Sequence, residues 1–139
     1  MTFDDKIQKF NSIYALPHPE KPTLKGVGDW KKRISDFQSI LSEEVEEGKD
    51  ILEGTALPLN ILTEMADWYG DIIVYAWSEA ARYGIPIEKV LDIIMASNFS
   101  KLDEDGNPIK DKRNKVLKGP LYWAPEDKIR KLLQGLGVE

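Results

Sequence analysis

The chain is expected to fold as an all-α protein, a helical bundle followed by an irregular C-terminal segment and a final short helix. Apolar residues recur at spacings of three and four from Phe3 to Ala96, the period that gathers side chains on one helix face. No stretch of useful length alternates apolar and polar residues as a half-buried strand does. Glycines and prolines fall between the periodic stretches, where helices stop and start.

The first helix is expected from Phe3 to Tyr14, with Phe3, Ile7, Phe10 and Tyr14 on one face. Pro17, Pro19 and Pro22, then Gly26 and Gly28, impose loop or extended chain. So long a connection is expected to cross the surface of a partner element or subunit. Asp29 is placed to cap a second helix that carries Ile34, Phe37, Leu41 and Val45 and runs to Leu52, with Gly54 as its stop. Pro58 suits the first turn of a third helix, Leu59 to about Tyr83, which Gly84 ends. Within it Ile72-Ile73-Val74-Tyr75-Ala76-Trp77 is apolar on every side, the pattern of a helix buried all round. A fourth helix is expected from Glu88 to Ala96. Beyond Ser97 the character changes: Asp103 to Pro108 reads as turn, Lys110 to Lys118 is basic, and Gly119 to Trp123 is irregular and aromatic. A last amphipathic helix runs from Pro125 to Leu133.

The 139 residues suit one domain, 1–139, with enough chain to bury a core without disulfide or zinc staples. The absence of cysteine excludes thiol catalysis and a Cys-ligated zinc site. Met1 to Asp5 is acidic, the next segment has no continuous apolar run of the secretory kind, and nothing approaches the roughly 20 apolar residues that span a bilayer. A cytoplasmic protein with no membrane partner is therefore expected. A net charge of -5 argues against binding a nucleic-acid polymer.

The acids are not scattered. In S-E-E-V-E-E-G, Glu44 and Glu47 fall on one helical stripe with Ile40 and Ile51, and Glu43 lies beside it. On the next helix Glu64, Asp67 and Asp71 share a face that Ser78 continues. Like charges at these spacings repel, and a carboxylate beside an apolar stripe needs a cation, a hydrogen-bond donor or water. Any one of these acids alone reads as solvated helix surface; two clusters facing each other would hold an ion. Oxygen-only ligands, with no His or Cys, select a hard ion, Mg2+ or Mn2+.

The E-E-V-E-E segment, the later D-W-Y-G-D-I-I-V-Y helix and the stretch from Ser97 to Ile109 resemble the all-α nucleoside triphosphate pyrophosphohydrolases, most of all MazG-like and phosphoribosyl-ATP pyrophosphohydrolase-like proteins. The likeness spans roughly Ile7 to Pro125. Its metal motif is E-E-x-x-E on one helix, matched by Glu43, Glu44 and Glu47, and E-x-x-D on the next. Glu64 and Asp67 satisfy the second half literally, whereas the downstream spacing favours Asp71 as the aspartate; Trp68 then stands where the glutamate would be, and Asp67 substitutes for it. Asp67 and Asp71 are the expected ligands, with Glu64 in reserve.

The resemblance implies Mg2+-dependent cleavage of a nucleoside triphosphate between its α and β phosphates, by a homodimer or higher homo-oligomer. Glu43, Glu44 and Glu47 are the expected catalytic residues, with Glu43 a candidate outer base. Lys101, Lys115 and Lys118 can hold the outgoing pyrophosphate, and Asn98 a base edge or phosphate, though each serves equally as surface or as a helix cap. Tyr122 and Trp123 are expected to pin the C-terminal arm in preference to stacking on a base. His18, between two prolines, is expected at the surface. The alternatives are hydrolysis of phosphoribosyl-ATP and a non-catalytic helical module.

Overall fold

Thr2 and Asp5 open the first helix by a reciprocal cap: the Asp5 amide donates to the Thr2 hydroxyl over 3.1 Å and the Thr2 amide to the Asp5 carboxylate over 2.7 Å. That helix, α1 (Phe3–Ile13), begins a computed structural model that describes residues 1–54 and 57–139. Among the described residues five more α-helices follow: α2 (Trp30–Glu46), α3 (Gly48–Leu52), α4 (Pro58–Ala81), α5 (Ile87–Phe99) and α6 (Glu126–Leu136). Among the described residues there is no strand, only an isolated antiparallel bridge between Lys110 and Val116. The all-α expectation holds.

Two units make up the chain, residues 1–85 with Glu139 and residues 86–138. In the first, α4 is the element against which α1, α2 and α3 all pack. Its start matches the sequence signal, with Pro58 at the first turn, and Asp29 caps α2 by accepting from the Lys31 and Lys32 amides. Asn11 of α1 is fully buried and ties α1 to α4: its amide donates to the Ser78 and Pro17 carbonyls, each over 3.1 Å, and its oxygen accepts from the Ser78 hydroxyl over 2.6 Å. Every polar group of this buried pair has a partner, which is what makes the burial tolerable. Trp77 adds an indole bond to Asp4 of 2.9 Å and an edge contact with Phe3.

The proline-rich loop crosses the end of α4, as expected of a connection that covers a partner element. The Thr23 amide donates to the Tyr83 carbonyl, and Gly84, at φ +67°, sits where a Cβ would strike the Lys21 carbonyl.

Four expectations need correction. The second helix does not run unbroken to Leu52; it stops at Glu46 and restarts as α3 at Gly48, because glycine is a weak helix interior and a tryptophan packs against it. The fourth continues past Ala96 to Phe99, and the last past Leu133 to Leu136. α4 is not buried all round within one chain: Ile73 is 54% and Tyr75 43% exposed, since α1, α2 and α3 cover only part of its circumference.

In the second unit α5 packs on α6. The Ser97 hydroxyl donates to the Trp123 carbonyl, the Trp123 amide donates to the Ser100 hydroxyl, and the Lys128 ammonium lies 3.8 Å from the Trp123 ring centre. Trp123 thus fastens the irregular segment to the helices, the role expected of it. Among the described residues no helix is long and apolar enough to cross a membrane.

Candidate functional site

The end of α2, the short α3 and the N-terminal half of α4 enclose a cleft of about 210 Å³ lined by Glu44, Glu47, Asp50, Glu64, Asp67 and Asp71, with Ile51 and Trp68 between them. Helical phase accounts for most of this: Glu44 and Glu47 share a stripe, and Glu64, Asp67 and Asp71 follow one another at three and four residues. Four of the five expected metal ligands therefore meet in one cleft, along with the reserve Glu64. Glu43 does not line it and is exposed at the helix surface.

Glu44 is the buried member, 8% exposed. Burial pushes its carboxyl above the ordinary range, and the charges of Glu47 and Asp71, a hydrogen bond with Glu47 and the charge of Asp67 push it the same way. Lys and Arg are absent from the cleft lining, and none of the six acids forms an ion pair among the described residues. One buried carboxylate with five exposed ones around it and no counter-charge fits a hard divalent cation held at the cleft mouth. Among the described residues no three acids converge at ligating distance. Mg2+ does not require that, since it keeps several waters and is held through one or two carboxylates.

Asp50 is the member that sequence reasoning missed. On an unbroken helix, at about 100° per residue, it would lie about 120° from Glu44. It stands three residues after Glu47, so the turn that carries Glu47 to the cleft carries Asp50 there too. The signal was that i, i+3 spacing between the two acids.

Asp71 also lines a larger cavity of about 520 Å³ beside the cleft, walled by Phe10, Tyr14, Phe37, Val74 and Tyr75. Arg33 and Glu79 line it too, joined by two hydrogen bonds of 2.8 Å. This cavity carries aromatic walls and a few polar groups, the make-up of a small-molecule pocket. His18 is exposed, its ring nitrogen 2.9 Å from the Leu16 carbonyl.

The remaining expected site residues lie in the second unit. Asn98 is exposed near the end of α5, where its carbonyl accepts from the Lys101 amide over 3.2 Å. Lys115 closes a turn whose amides donate to the Asp111 carboxylate, and the Lys118 ammonium lies 4.9 Å from the Tyr122 ring centre. None of the three lysines forms an ion pair among the described residues.

No family profile matches the chain, and no curated protein matches it by sequence. Among solved structures it is similar to the crystal structure of a "putative NTP pyrophosphohydrolase" from Exiguobacterium sp. 255-15, with a TM-score of 0.55 and 18% identity over 96% of this chain and 95% of that one. At that identity the likeness is one of fold, and the all-α architecture is that of the Exiguobacterium protein.

Proposed function

We propose that this chain is a MazG-like, magnesium-dependent nucleoside triphosphate pyrophosphohydrolase, which hydrolyses the anhydride between the α and β phosphates to a monophosphate and pyrophosphate. The observation that carries the reading is the side-by-side placement of a carboxylate cleft without a counter-charge and an aromatic cavity, with Asp71 in the lining of both. A triphosphate has the matching polarity: a chain of negative charge that an acidic cleft accepts only through metal, and an apolar aromatic base.

Glu44, Glu47, Asp67 and Asp71 are the residues from which one or two would hold the ion directly and the others through its waters, with Asp50 and Glu64 adjoining. Bound there, Mg2+ supplies the positive charge that admits a polyphosphate and stabilises charge developing on it. Glu47, exposed at the cleft, is placed to accept the proton of the attacking water, while Glu44 keeps its carboxyl oriented by burial. The aromatic cavity takes base and sugar, with Phe10, Tyr14, Phe37 and Tyr75 in its lining as partners for stacking. The reading includes self-association, supported by the exposed apolar side of α4.

One observation favours a non-catalytic nucleotide-binding role instead: no three carboxylates converge among the described residues. Product analysis decides. Purified protein is incubated with Mg2+, and separately Mn2+, and a panel of ribo- and deoxynucleoside triphosphates together with phosphoribosyl-ATP. Monophosphate and pyrophosphate from one or more of the triphosphates support the reading. Orthophosphate as the released product, cleavage of phosphoribosyl-ATP alone, or no turnover with either ion would overturn it.

A further inference from the structure

Every helix leaves its last four carbonyls without an intrahelical donor, and α2 leaves its own beside the acidic cleft. One of them, the carbonyl of Glu44, accepts the indole N–H of Trp68 over 2.8 Å. Trp68 belongs to α4, so this bond fixes the main chain of the buried acid to the helix that carries Asp67 and Asp71. The ring fixes the next step of the chain. A Cβ on residue 48 would stand 2.5 Å from Trp68 Cζ2 and 2.9 Å from Cη2, so only glycine lets the indole lie against the point where α2 ends and α3 begins. Trp68 lines the acidic cleft on one side and, on the other, an apolar cavity of about 590 Å³ with Val45, Ile61, Met65 and Tyr69.

We propose that Trp68 is a positioning residue of the acidic cleft: its N–H and its ring hold the break between α2 and α3 in the geometry that places Glu44 and Asp50 on one wall. The inference rests on the metal reading of that cleft. Trp68 offers no oxygen to an ion, and its effect passes through the main chain of Glu44 and the turn at Gly48. Groups that orient ligands without touching the metal set affinity by about ten- to a hundredfold.

Trp68→Phe removes the donor and keeps a ring. Calorimetric titration with Mg2+, under conditions where the folded form dominates, should show affinity about tenfold weaker than in the native chain. Val90→Ala, a core truncation in the other unit, should lower stability and leave Mg2+ affinity unchanged. Gly48→Ala should lose affinity as Trp68→Phe does, and the double variant should recover stability, because the smaller ring relieves the clash, without recovering affinity. Amide hydrogen exchange of metal-free protein gives a separate reading: Trp68→Phe should speed exchange over residues 47–52 more than over α1. Should the native chain give no heat with Mg2+ or Mn2+, the metal reading falls, and the exchange experiment alone decides whether Trp68 holds the break. Native Mg2+ affinity in Trp68→Phe, or exchange that quickens no more at 47–52 than elsewhere, overturns the proposal.

Discussion

Arg33 on α2 and Glu79 on α4 join through a fork of two hydrogen bonds, Nε to Oε1 and Nη2 to Oε2, each 2.8 Å long, with side chains only 17% and 12% exposed. Arg82 stands one turn beyond Glu79, its Nε 3.4 Å from Glu79 Oε2 and without a hydrogen-bond partner among the described residues. One carboxylate therefore serves two guanidinium groups beside the aromatic cavity. Its bonds to Arg33 raise that guanidinium's pKa, whereas burial and the charge of Arg33 lower that of Arg82.

Glu79→Gln should consequently leave two partly buried cations facing each other and cost about 3 to 5 kcal/mol in urea unfolding. Arg33→Lys keeps the charge but loses the planar fork, and should cost less, roughly 1.5 to 3 kcal/mol. No loss in Arg33→Lys would show that fork geometry contributes nothing here.

Glu44 predicts the sign of a pH effect. Its folded pKa lies above the ordinary 4.5 because burial and neighbouring carboxylates disfavour the charge. The folded chain thus binds this proton more tightly than the unfolded chain. The contribution to stability is complete below about 4.5 and is lost as pH rises through the folded value. In chelator, native protein should lose stability over that window more steeply than Glu44→Gln, and the variant should be the more stable of the two at neutral pH. Parallel melting curves against pH for the two proteins would remove Glu44 from the account.

Metal binding separates the acids that line the cleft from the one that does not. At a hundredfold excess over its dissociation constant Mg2+ should stabilise the native chain by about 2.7 kcal/mol. Asp71→Asn should abolish most of that thermal shift, and Asp50→Asn should reduce it. Glu43→Gln should retain it, since Glu43 lies outside the cleft lining. Loss of the shift in Glu43→Gln equal to that in Asp71→Asn would return Glu43 to the ligand set.

Leu62, Tyr69 and Ile73 stand on α4 at i, i+7 and i+11, a single stripe, and are 62%, 50% and 54% exposed. An apolar stripe this open is expected to pair with a second copy. Sedimentation should show native protein as a dimer or larger, and Ile73→Lys should shift it toward monomer with helix content intact. A native chain that is monomeric at high concentration contradicts this.

What could be read from the residue string alone was local. Hydrophobic period, the Asp29 cap, Pro58 at a first turn and Gly84 after α4 depend on neighbours within a few positions, and so does the phase that puts Glu44 with Glu47 and Glu64 with Asp67 and Asp71. The tertiary structure alone decided the rest: that the second helix breaks at Glu47, that Asp50 joins the cleft while Glu43 does not, and which side of α4 its neighbours cover. The break depends on an indole N–H reaching a carbonyl 24 residues away and a ring lying on Gly48, a contact between helices that neither helix encodes in its own period.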